Sequence, residues 1–261
     1  MNCLHIIFSK DRALQLKAQL DSIIKFVKGP VKHIVLYTHS DRHEKSYKDL
    51  IENYSDKFLF VKQTDFRANV QSIVTTSELP YVFFTPDDGV FIRDLDLSFL
   101  SSELIRDYIF SLRMGEHLTE CHPAGRKKQQ LPEFKEDKDT LVWDWQGDFD
   151  WSYPLALDGH IFDSKLLLTY SAMFDFRTPT SFEAGLQKFV PINFKKGMCH
   201  RQSSFVSLPW NAVTDEMNNL NGGISNEIFL ERYEEGKTIR VDHIYDTLPI
   251  ACHQEYPLEF V

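Results

Sequence analysis

Four short apolar runs, at 4–8, 33–37, 58–61 and 81–84, alternate with segments whose apolar residues recur at helical spacing. Leu16, Leu20, Ile23 and Val27 form the first such face before Gly29 and Pro30; Tyr47, Leu50, Ile51 and Tyr54 form the second; Val70, Ile73 and Val74 mark the third. Parallel strands need long crossovers, and a right-handed crossover helix covers a sheet face. The spacing therefore predicts an α/β fold with a mostly parallel central sheet flanked by helices.

The fourth run, Tyr81-Val82-Phe83-Phe84, has no polar alternation, as expected of a strand buried on both faces. Pro86 ends it, and Asp87, Asp88 and Gly89 come next. Open α/β sheets bind ligands beyond the carboxyl ends of their strands, where carboxylates can hold a divalent cation against substrate phosphates. Metal-assisted handling of a nucleotide diphosphate is the reading. Asp-Asp-Gly also suits a plain tight turn.

Past this point regularity weakens. A short helix is expected within 95–104 and a fifth strand at 108–112, followed by a long loop over 116–146 that serves as a functional lid or as a solvated link. A strand at 155–162 leads to a helix with Asp163 as N-cap and Leu166, Leu167, Tyr170, Met173 and Phe174 on its apolar side. Another helix starts near Thr180, and a last one at 226–235 ends at Gly236. No repeat or linker divides the 261 residues, so a single domain is expected, with 1–115 as one half and an irregular 116–261 as the other.

A formal charge of -9 argues against nucleic-acid binding. The amino terminus enters a strand without a basic leader, and no apolar stretch is long enough to span a membrane, so a cytoplasmic location is expected, with peripheral membrane contact left open. Cys3, Cys121, Cys199 and Cys252 form no CxxC pair and read as reduced thiols.

Together these motifs make the chain resemble a GT-A fold glycosyltransferase of the family 2-like kind. The opening strand runs into Phe8-Ser9-Lys10-Asp11-Arg12; the second ends in Thr38-His39-Ser40-Asp41; Phe66-Arg67-Ala68-Asn69-Val70 looks like the segment leading an arginine and an asparagine toward the donor. Thr85-Pro86-Asp87-Asp88-Gly89 takes the place of the DxD motif, without its strict spacing, and Asp88 is the favoured metal ligand. Leu157-Asp158-Gly159-His160-Ile161-Phe162 looks like the acceptor-side strand, and Ser181-Phe182-Glu183 like the helix start that carries the catalytic acid of inverting members. The resemblance implies 1–115 as the nucleotide-sugar half and 116–261 as the acceptor half. It implies a nucleotide-diphospho-sugar donor, a saccharide or lipid-linked acceptor, polysaccharide biosynthesis, and Mn2+ or Mg2+ on Asp87, Asp88 and a histidine placed like His200.

Each candidate carries a second reading. Glu183 is the expected base, yet Thr180 to Glu183 also fits a capping box; Asp158 and Asp150 are its substitutes. His200 competes with His243 and His253. Arg12, Arg67 and Lys10 suit a diphosphate or surface ion pairs; Ser9 and Asn69 stand beside them, and Asp41 suits a ribose or base, or caps a helix. Trp143, Trp145, Trp151 and Tyr153 among Asp144, Asp148 and Asp150, with Gly159 and His160 beyond, suit a sugar acceptor or a core. A sugar nucleotidyltransferase is the nearest rival, disfavoured because the first turn lacks glycine; a non-catalytic nucleotide-sugar-binding module is the other.

Overall fold

The computed structural model describes residues 2–193, 195–211 and 221–261. Strands β1 (Cys3–Lys10), β2 (Val31–Thr38), β3 (Leu59–Lys62) and β4 (Tyr81–Pro86) alternate with helices α1 (Ala13–Phe26), α2 (Glu44–Tyr54) and α3 (Phe66–Ser77). Next come β5 (Gly89–Phe91), α4 (Ser102–Asp107), β6 (Tyr108–Ser111), β7 (Lys135–Asp137) and β8 (Thr140–Trp143). The chain continues through β9 (His160–Asp163), α5 (Ser164–Ser171), α6 (Pro179–Leu186), β10 (Lys196–His200), β11 (Phe205–Ser207) and α7 (Asn226–Glu234).

Nine of these strands form one sheet in the order β7-β8-β10-β6-β9-β4-β1-β2-β3. β1 runs parallel to both β2 and β4, and β2 to β3; β9 runs against both of its neighbours. Along β1 successive side chains enter opposite layers. Cys3 and Ile7 join α1 and α2 residues such as Leu16, Leu20, Tyr47 and Leu50, while Leu4, Ile6 and Phe8 join Phe66, Val70, Phe182 and Leu186 of α3 and α6. That two-faced burial is why the strands read as unbroken apolar runs.

The segment 116–146, expected as a loop, carries β7 and β8, which extend the sheet as an antiparallel pair against β10. The strand expected over 155–162 shortens to β9, with turns before it. Outside the large sheet, β11 pairs with β5, Ser207 opposite Gly89, and this small ribbon packs on α1 beside the C-terminal segment. All four cysteines are buried and unpaired.

Candidate active site

The carboxyl ends of β1 and β4 are adjacent in register, Phe8 opposite Pro86, so the turns leaving the two strands meet at one rim of the sheet. After β1 the chain turns through Asp11 at φ 52, a left-handed conformation that costs a non-glycine residue strain. The turn is held: Asp11 Oδ1 accepts from Ser40 N at 2.7 Å and Ser40 Oγ at 3.2 Å. It delivers Arg12 to the acidic pair after β4. Arg12 Nη1 donates to Asp87 Oδ1 at 3.0 Å and to Asp88 Oδ2 at 2.8 Å, and Nη2 to the Asn211 carbonyl at 2.6 Å.

Only 6% of the Arg12 side chain is exposed, so this is an interior ion pair and not a surface one. Asp87 is the more enclosed acid. Its Oδ2 accepts from the Lys10 backbone N–H at 3.1 Å, and burial pushes its pKa up to about 6 against the pull of Arg12. Asp88 keeps 17% of its side chain exposed, and its Oδ1 has no hydrogen-bond partner among the described residues. Ser9 is buried, with Oγ 2.6 Å from Tyr47 Oη. Beneath the pair, Thr85 Oγ1 meets His5 Nε2 at 2.8 Å and Gln19 Nε2 at 3.1 Å, and Gln19 also donates to the Pro86 carbonyl. These bonds fix the strand end.

A second polar cluster lies beside the first. Gly159 N donates to the Phe84 carbonyl at 2.8 Å, which brings Asp158 to the end of β4; β11 runs back past the acidic pair, with Leu208 N donating to the Asp88 carbonyl. Asp158 accepts from Ser207 Oγ at 3.0 Å and lies 3.4 Å from both Arg113 Nη1 and His253 Nε2. Arg113, 3% exposed, also faces Asp150 at 3.5 Å. Glu183 projects from α6. Its Oε2 accepts from Leu157 N at 2.6 Å and its Oε1 from Tyr153 Oη at 3.0 Å. Burial raises the Glu183 pKa, with the two hydrogen bonds and Arg113 opposing.

The capping-box reading of Glu183 is corrected. The N-cap of α6 is Thr178, and its reciprocal partner is Ser181; Thr180 is not the cap. Pro179 at the first helical position, whose fixed φ suits a helix start, sets this earlier boundary. The Glu183 carboxylate is thus free of the helix terminus and turned to the Tyr153–Leu157 turn.

Several other candidates lie elsewhere. His200 stands on β10, three strands from β4, roughly 14 Å at the usual spacing, with its ring edge-on to Phe99 and Phe110. Arg67 pairs with Asp175 and donates to the Ala172 carbonyl, and Asn69 Oδ1 accepts from Thr64 and Asp65 at the start of α3. Asp41 is exposed at the head of a 3-10 turn whose N-cap is Ser40. Trp143 and Trp151 are core residues, 2% and 0% exposed, packed inward with Met114, Leu141 and Cys199. Trp145 is half-buried, its ring 5.6 Å from that of His160. His160 is fully buried and pushed down to about 3, with Nδ1 on the Pro154 carbonyl. His243 and Tyr256 form an edge contact on the C-terminal segment.

Arg113, Ser207, Tyr47 and Asn211 are the site residues that sequence reasoning passes over. Arg113 has a signal, since it comes directly after the apolar run at 108–112, much as Asp87 comes after that at 81–84.

Among the described residues, no group of three or more His, Cys, Asp or Glu is placed to hold a metal. Among the described residues, Asp87 has both oxygens engaged, and of the two acids only Asp88 offers an open one. A single carboxylate oxygen completed by diphosphate oxygens is a donor set that Mg2+ or Mn2+ accepts, so the residues fit a cation that arrives with its nucleotide.

The sheet order and the two helical layers define a GT-A-like α/β fold. Solved structures agree: the chain is similar to S. aureus TarS, with a TM-score of 0.52 and 14% identity over 79% of this chain and 36% of that one. It is also similar to TarS residues 1–349 in complex with UDP-GlcNAc, with a TM-score of 0.51 and 13% identity over 89% of this chain and 65% of that one. In sequence it is 26% identical over 179 residues to the bifunctional glycosyltransferase pgtA of Dictyostelium discoideum, covering 60% of this chain but only 23% of that protein. No family model matches.

Proposed function

We propose that the chain is a glycosyltransferase that moves a sugar from a nucleotide-diphosphate donor to a hydroxyl acceptor. The observation that carries this is the meeting of Arg12, Asp87 and Asp88 with the Asp158–Ser207 corner at the carboxyl ends of β1 and β4. Open α/β sheets place ligands there. The similarity to TarS, solved with UDP-GlcNAc, and to a protein named as a bifunctional glycosyltransferase supports the donor class.

In this reading Asp88 would hold Mn2+ or Mg2+, and a bound cation would supply charge neutralisation at the departing diphosphate. The Arg12 fork matches phosphate geometry and adds a fixed positive charge. Glu183 is the base: it takes the acceptor hydroxyl proton as that oxygen attacks the anomeric carbon and the bond to the diphosphate breaks, which gives inversion. Burial raises its pKa above the ordinary carboxylate range, which makes it a stronger base. Asp158, held by Ser207, Arg113 and His253, shapes the acceptor side. The acceptor is a saccharide or a lipid-linked saccharide; among the described residues no helix is long and apolar enough to cross a membrane.

The test is a screen of UDP-, GDP- and dTDP-sugars for nucleotide release with Mn2+ or Mg2+, repeated on Asp88→Ala and Glu183→Gln. Asp88→Ala should lose release, while Glu183→Gln should still bind donor but fail to transfer. Equal release by wild type and Asp88→Ala would remove the proposed site.

A further inference from the structure

We propose that Arg12 is a resident counter-ion that makes cation binding at Asp88 conditional on a nucleotide diphosphate. The inference rests on the donor reading above and adds an order of assembly to it. One guanidinium nitrogen bridges both acids at 3.0 and 2.8 Å, and the other is pinned to the Asn211 carbonyl. Asn211 is itself fixed, its Oδ1 accepting from Gln15 at 3.2 Å and its Nδ2 donating to Asn226 Oδ1 at 2.5 Å. The positive charge is therefore built in.

A bare divalent cation approaching the open Asp88 oxygen meets a pair of carboxylates already half neutralised, with a guanidinium in direct contact on the other oxygen. Like charges at that separation repel strongly in a partly dehydrated site. A diphosphate reverses the balance. Its negative charges offset both cations, its oxygens complete the metal's shell, and Arg12 gains a second anion to fork. Arg12 also has a donor to spare: its buried Nε–H has no partner among the described residues. A phosphate oxygen supplies the missing acceptor.

The experiment measures Mn2+ binding by the depletion of its free electron-spin-resonance signal, first alone and then with UDP at saturating concentration, for wild type, Arg12→Gln and Arg12→Lys. Wild type should bind bare Mn2+ in the millimolar range and at least tenfold more tightly with UDP. Arg12→Gln should bind bare Mn2+ at least tenfold more tightly than wild type, and UDP should add less to it. Arg12→Lys, whose shorter-reaching ammonium lacks the second nitrogen that pins Arg12 to the Asn211 carbonyl, should fall between them and keeps a buried charge in case the glutamine variant unfolds. Bare Mn2+ affinity that is unchanged or weaker in both variants overturns the proposal. Wild type that shows no effect of UDP on Mn2+ binding instead overturns the donor site itself.

Discussion

Tyr153 Oη donates to Glu183 Oε1 at 3.0 Å, tying the turn before β9 to the first turns of α6. The bond stabilises the ionised carboxylate, so its loss raises the Glu183 pKa further. Tyr153→Phe should therefore shift the acid limb of the kcat/KM profile to higher pH, with little change in rate on the plateau. An unshifted limb would mean that Glu183 does not carry the ionisation that limits the rate.

Asp87 titrates higher in the folded chain than in the unfolded one because it is buried. Between an ordinary carboxylate pKa and about 6, the native state binds more protons than the unfolded state, so this residue's contribution to stability falls as pH rises through that window. Wild type should lose stability relative to Asp87→Asn between about pH 4 and 6, and the gap should stay constant above. Urea titrations of both proteins across that range would show it.

Arg113 faces Asp150 and Asp158 from a site that is 3% exposed. Arg113→Met leaves those acids without their cation, which costs about 3–5 kcal/mol when one partner of a buried pair is removed. Denaturant titrations of the two proteins should show this as a lower midpoint in the variant, and an unchanged midpoint would mean that the pairing does not hold the fold.

Gly89 follows the acidic pair and lies opposite Ser207 of β11. A Cβ there would lie 2.0 Å from Cζ of Phe205, a ring with no exposed surface into which to retreat. Gly89→Ala should destabilise the chain by about 1–3 kcal/mol through overpacking. Thermal melts would detect this.

The first half of the fold is legible because its physics is local. Ile6, Val35 and Phe84 are buried on strands covered from both sides, and their unbroken apolar runs say so without reference to the rest of the chain. The acidic pair is found by the same rule. The second half depends on partners distant in sequence. β7 and β8 are three and four residues long and, though they pair with each other, join the sheet only through β10, which lies far along the chain, so 116–146 reads as a loop. The tryptophans cannot be sorted by type: Trp143 and Trp151 lie in the core and Trp145 at its margin, a difference set by which way short elements turn. Glu183 stands out in the sequence for its place in a helix start, but the cap lies at Thr178, and its carboxylate is held by the distant Tyr153–Leu157 turn.

β9, from the second half of the chain, is inserted between β4 and β6 of the first half. The two halves are thus interleaved like the fingers of clasped hands, and a cut near residue 115 would strip β4 of its outer neighbour and β6 of both. A fragment ending there would expose the edges of its most apolar strands, so the rim where β1 and β4 end stands only in a chain that keeps both halves.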